Sequence, residues 1–247
     1  MNDILTVAQG TFERFARLKA LYVILVICVL DVAAMGMYKD LTMGMDQELM
    51  LDCSLAIITA VGLITAMVAA FDIQRELTER TATFILSKPG GRVTFVWGKF
   101  FGIGALAVFN IAIVTVGSLI VMNWKYGEIN MGLVHGATLV AGEAVALTAI
   151  GMTLAMILND SWAAIGVFAA FAIGHGTFML TRMMENNAIS KFLYFILPNF
   201  YNLDIKSEIG NGIAVPVKFV WMGVGYAAAY AVFFVGITLL LFRRKDL

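Results

Sequence analysis

Residues 75–92 read RELTERTATFILSKPGGR, eighteen residues with six formal charges. They lie between two of the most apolar stretches of a 247-residue chain that is 61% hydrophobic and 14% charged. Mean hydropathy is +0.88, and an ordinary soluble domain carries about 25% charge. The apolar stretches on each side are therefore read as membrane spans, each needing roughly 20 residues to cross the hydrocarbon. The charged stretch is read as a segment held at the membrane surface between them.

Working outward from it, the chain divides into six apolar segments at about 20–38, 53–71, 95–122, 131–158, 161–181 and 217–242. The fourth and fifth are separated only by Asn159-Asp160-Ser161, which predicts a tight antiparallel helical hairpin. Residues 2–19 place Ile4, Leu5, Ala8, Phe12, Phe15 and Leu18 at helical spacing, with Glu13, Arg14 and Arg17 elsewhere on the wheel. That pattern predicts an amphipathic helix lying in the headgroup region before the first span. The start lacks the compact basic region of a secretory signal and the first apolar run is long for a signal core, so the expectation is that the first span is kept. The expected fold is an all-α integral membrane domain over 1–247, with six transmembrane helices, an N-terminal interfacial helix and a surface helix at 72–90.

Orientation follows from lysine and arginine near the span ends. With the N-terminus inside, the inner segments hold Arg14, Arg17, Lys19, Arg75, Arg80, Lys88, Arg92, Lys99, Arg243, Arg244 and Lys245. The outer segments hold Lys39, Lys125, Arg182, Lys191, Lys206 and Lys218, most of them in one long loop. Both termini are expected in the cytoplasm, with the plasma (inner) membrane as the location.

Within the quoted stretch, nothing from Asp72 to Leu86 breaks a helix. Ile73, Leu77, Thr81 and Phe84 share one face, and Arg75, Glu76, Glu79, Arg80 and Thr83 share the other. Lys88-Pro89-Gly90-Gly91 stops it, since proline cannot continue the ladder and glycine permits the turn. The prediction is a short charged helix roughly parallel to the membrane.

The segment continuing through VTFVWGKFFG resembles the loop between spans two and three in permease subunits of type-two ABC exporters. The residues that carry the resemblance are Glu76, Glu79, Arg80, Thr81, Leu86, Ser87, Lys88, Pro89, Arg92, Gly98, Lys99 and Gly102. Residues 197–204, LPNFYNLD, are similar to the segment such permeases place before their last span. Within the class, the chain looks nearest to the small permeases of copper-maturation, gliding and sodium-export systems. The resemblance implies a coupling helix that docks on a separate ATP-binding cassette subunit, with Arg75, Glu76, Glu79, Arg80, Thr81, Ser87, Lys88, Pro89 and Arg92 at the contact. Paired acidic and basic residues on a short rigid element suit an orientation-specific, charge-complementary contact.

The resemblance further implies two permease chains, a homodimer or a pair with a related permease, working with two ATPase subunits by alternating access. No cofactor is expected in this chain. ATP and magnesium belong to the partner, because no G-x-x-x-x-G-K-[ST] loop is present: Phe100 follows Gly98-Lys99 where a hydroxyl residue would hold magnesium. Neither H-E-x-x-H nor G-x-S-x-G occurs, so no enzyme activity is expected, and zero net charge gives no footprint for nucleic acid.

Polar residues inside the spans are the remaining candidates. Glu143 falls near the middle of the fourth, where an isolated charge costs roughly 2.5–3.5 kcal/mol on insertion scales. It is read either as an interhelical hydrogen bond or as a substrate-path or ion-relay residue. His135 stands eight residues earlier, about 12 Å along an ideal helix, so the two need a mediator to meet. His175, between Gly174 and Gly176, and Asp31, in the first span, are read as helix contacts. Cys28 and Cys53 are read as buried thiols.

Met35, Met37, Met43 and Met45 offer thioethers that suit Cu(I), but methionine is a common core filler, and no metal site is expected. The run SKFLYFILPNF is too short to cross and reads as a re-entrant or interfacial element within 182–216. Phe195, Pro198 and Phe200 there are an outer gate by the resemblance; alternatively Phe195 and Phe200 form an aromatic anchor with Phe192, Tyr194 and Tyr201. Two rival functions stay open: an ion-coupled secondary transporter using Glu143 and His135, and a non-transporting membrane scaffold whose charged loop is a docking site.

Overall fold

The computed structural model describes residues 2–17, 46–78, 91–183, 198–210, 213 and 215–244, with scattered positions between 23 and 34. All regular structure among these residues is helical: α1 (Asn2–Ala16), α2 (Asp46–Thr78), α3 (Gly91–Tyr126), α4 (Met131–Ile157), α5 (Asp160–Met183), a 3₁₀ turn (Phe200–Leu203), α6 (Lys206–Gly210) and α7 (Val217–Arg244). The first expected span, the outer methionines Met35, Met37, Met43 and Met45, and Phe195 lie outside the described residues, apart from isolated positions such as the buried Asp31. Four of the described helices, α2, α3, α4 and α7, are long and apolar enough to cross a membrane.

Helices α2 and α3 overrun their expected ends. The ladder of α2 passes Asp72 without interruption and reaches Thr78, so Asp72–Thr78 extends the span instead of beginning a separate surface helix. Ile73, read on the apolar face of that helix, is fully buried in the bundle core. The rest of the predicted surface helix, 79–90, lies outside the described residues. α3 begins at Gly91 and ends at a turn where Gly127 takes φ +72°, a conformation glycine adopts without penalty. Asn130 then caps α4 by accepting from the amide of Gly132 at 2.8 Å.

Helix α4 is the centre of the bundle. It packs against α2, α3, α5 and α7, and the 3₁₀ turn and α6 close over it as well. α4 and α5 are joined through Leu158 and Asn159 alone, and they are the expected antiparallel neighbours. Lipid is as apolar as leucine, so burial alone does not drive these helices together; close packing and interhelical hydrogen bonds do. The Thr153 hydroxyl lies 2.9 Å from that of Thr238 and donates to the Phe234 carbonyl at 3.0 Å, tying α4 to α7. Thr153→Val keeps the shape and removes both bonds, with an expected loss of about 1 kcal/mol in detergent unfolding. A loss indistinguishable from zero would assign the α4–α7 contact to packing alone.

Helix α7 returns to the starting end of α3. Phe242 stacks on Phe95 with ring centroids 5.6 Å apart, and the Arg92 guanidinium donates to the Arg243 carbonyl at 2.8 Å. α1 packs along this same part of α3. The two ends of the described chain therefore meet at one end of the bundle, while the α3–α4 turn and α6 lie at the other.

Candidate functional site

Two groups of charged residues stand out, one at the end of the bundle where α1 meets α3 and one around the middle of α4. The first is built on α1, α2 and α3. Asp72 and Glu76 stand one turn apart on α2 and share a face. Lys99 of α3 is 3% exposed, and its ammonium lies 2.9 Å from Asp72 and 2.7 Å from Glu76. Arg14 of α1 binds the same two carboxylates, Glu76 at 2.6 Å. Two cations thus face two carboxylates, and three helices are held by one neutral cluster. Burial makes it matter: an exposed pair contributes little, whereas Lys99 without its carboxylates would be an uncompensated buried charge.

The backbone of α3 lets α1 come close enough to join. A Cβ on Gly98 would stand 2.6 Å from the Val7 side chain, and one on Gly102 would stand 2.7 Å from the Ala8 carbonyl. Real side chains do not approach that closely, so the Gly98-x-x-x-Gly102 face is a groove fitted to α1. The apolar face of α1 expected to meet lipid instead meets α3 in part: Phe12 sits edge-on to Phe109 at 5.7 Å, and Phe15 is buried.

Of the residues expected to contact a partner, Glu76 is engaged within the chain by Arg14 and Lys99, and Arg92 holds the end of α7. Arg75 is exposed on the last turns of α2. Glu79, Arg80, Thr81, Ser87, Lys88 and Pro89 lie outside the described residues.

The second group lies around the middle of α4. Glu143 is 2% exposed, and its Oε1 has no hydrogen-bond partner among the described residues. The ionisable group facing it is His175 of α5, whose Nδ1 is 3.6 Å away. His135, the companion considered from the sequence, is part-buried elsewhere on α4. The same Nδ1 lies 3.2 Å from the Phe171 carbonyl. On the far side of the ring, Nε2 is 3.9 Å from Asp204, which is 3.8 Å from Lys206. No cluster of three or more His, Cys, Asp or Glu able to hold a metal ion occurs among the described residues.

His175 is placed by the segment before the last helix. Phe200 is fully buried and lies over Gly174, where a Cβ would stand 2.3 Å from the Phe200 ring and 3.0 Å from the Pro198 carbonyl. Gly176, on the other side of His175, faces open space. Asn199 donates its amide to the Tyr226 hydroxyl of α7 at 2.8 Å, and Leu203, Ile205 and Ile209 are buried. Residues 198–209 therefore plug into the bundle, and Phe200 is a packed wedge rather than a surface aromatic.

The chain matches, over residues 6–247, the family described as ABC-2 family transporter protein. No curated protein matches it.

Proposed function

Because the chain belongs to the ABC-2 transporter permease family, we propose that it forms the membrane half of an ATP-driven exporter, with the energy supplied by a separate ATP-binding cassette subunit. It has six spans, both termini in the cytoplasm of the inner membrane, and works as one of two permease chains that alternate access between the two sides. ATP and magnesium bind to the partner.

The observation that carries this reading is the Arg14–Asp72–Glu76–Lys99 cluster. It ties together the two helices that flank residues 79–90 and fastens both to α1. A push on that segment therefore reaches α1, α2 and α3 together, as transmission of a partner's movement requires. Since Glu76 is already paired within the chain, docking falls to the charged residues beyond it, Glu79, Arg80 and Lys88.

The test is co-purification of the detergent-solubilised chain with its ATP-binding subunit, comparing wild type with Glu79→Lys/Arg80→Glu. Capture by the wild type and its loss in the charge-reversed variant is the expected result, since like charges facing each other across an interface cost several kcal/mol. An ATPase retained equally by both proteins would move the docking site elsewhere. If neither binds one, the second reading stands: ion-coupled transport, which the buried Glu143 beside His175 favours.

A further inference from the structure

We propose that Glu143, His175 and Asp204 form a proton relay linking the buried middle of α4 to water at the end of the bundle where α6 lies. The geometry carries it. An imidazole stands between two carboxyl groups, with Nδ1 toward Glu143 at 3.6 Å and Nε2 toward Asp204 at 3.9 Å. Exposure rises along the line, from 3% for the Glu143 side chain to 21% for His175 and 27% for Asp204. Both gaps exceed a direct hydrogen bond by less than 1 Å, a distance closed by a small rotation of the ring or by one bridging water.

Imidazole suits this position because it takes a proton at one nitrogen and releases another from the opposite one. A hydronium ion outside protonates Asp204, and Asp204 passes that proton to Nε2. The resulting imidazolium, whose Nδ1–H points at the Phe171 carbonyl, gives the Nδ1 proton to Oε1 of Glu143. The ring is left protonated at Nε2 and resets by the reverse transfer or by a ring flip. One proton enters, one reaches Glu143, and no bond other than N–H and O–H changes.

The unpartnered Oε1 of Glu143 is the acceptor such a path needs at its inner end. Lys206, beside Asp204, is the other charged group acting on both Glu143 and His175. α7 brings the phenol Tyr226, engaged with the Asn199 backbone amide, and the charged groups that act on the pair are Asp204 and Lys206. The relay goes beyond the permease reading: it gives the transporter a proton-binding position whose filling follows the pH at one membrane face.

The test needs no ATPase, so its failure is separate from failure of that reading. The chain is placed in lipid nanodiscs and the infrared carboxyl band of Glu143, assigned by its loss in Glu143→Gln, is followed after jumps between about pH 5 and about pH 9. In wild type the band is expected to follow the jump within the mixing time. In His175→Phe and in Asp204→Asn it is expected to reach the same end point at least about tenfold more slowly, in line with the weight of positioned proton carriers. Asp204 is partly exposed, so that variant reports even if His175→Phe fails to fold. A Glu143 band that responds as fast in Asp204→Asn as in wild type, or one that does not change over the whole range, overturns the relay.

Discussion

Lys99→Met is expected to lower the stability of the protein by about 3 kcal/mol, the low end of what breaking a buried ion pair costs. Methionine fills a similar volume, so the loss reports charge and not a cavity. It leaves Asp72 and Glu76 without the buried ammonium between them, and Arg14, itself 45% exposed, is less able to hold them. Thermal unfolding in detergent measures the loss, and protease cleavage of α1 should become faster in the same variant. Restoring part of the loss with Lys99→Met/Asp72→Asn would show that the cost lies in the uncompensated carboxylate. A Lys99→Met protein as stable as wild type would remove the cluster from the account of how α1 is held.

Gly174→Leu is the second change with a large expected effect, a loss of about 1–3 kcal/mol from overpacking. The new side chain takes the space of the Phe200 ring, which approaches the position of a Cβ to 2.3 Å. Phe200 must leave, and with it go the Pro198 carbonyl and the packing that sets the His175 ring. The readout is maleimide labelling of a cysteine placed at the buried Leu203, in a background without Cys28 and Cys53. Labelling is expected to be slow in that background and fast once Gly174→Leu is added. Gly174→Leu with Leu203→Cys still protected would mean that the segment is held without Phe200.

The order and approximate place of the described long helices were legible because composition and length suffice for them: the segments read at 53–71, 95–122, 131–158, 161–181 and 217–242 each fall on a described helix. Their ends were not, because hydropathy registers the lipid-facing part of a helix and is blind to turns that continue past it. Asp72 and Glu76 read as the start of a surface element since they are charged. They extend α2 because Lys99 and Arg14 lie across from them, and those partners are distant in sequence.

The Gly98-Lys99-Gly102 pattern could be quoted from the sequence, but its physical role, a groove flanking a buried ammonium, needed the position of α1. The Glu143–His175 pair was within reach. Once 159–161 is read as a tight hairpin, residues equally far from Asn159 share a depth, and Glu143 and His175 are equally far from it. Looking along the same helix to His135 missed a neighbour on the next one. Asp204 could not have been found this way, because the packing of residues 198–209 depends on the fit of Phe200 to Gly174 and on the Tyr226 hydroxyl.

The meeting of the chain ends at the start of α3 also sets a timetable for biogenesis. Lys99 finds Asp72 across 27 residues and Arg14 finds it across 58. Both contacts are open to a nascent chain while α4 and later helices are still being made. Arg92 finds Arg243 across 151 residues, so that contact waits for the last turn of α7 to leave the ribosome. Long-range contacts of this kind form late in an assembly. The end of the bundle that borders residues 79–90 is therefore finished last, and a nascent chain that has not completed its final helix presents an unfinished surface there.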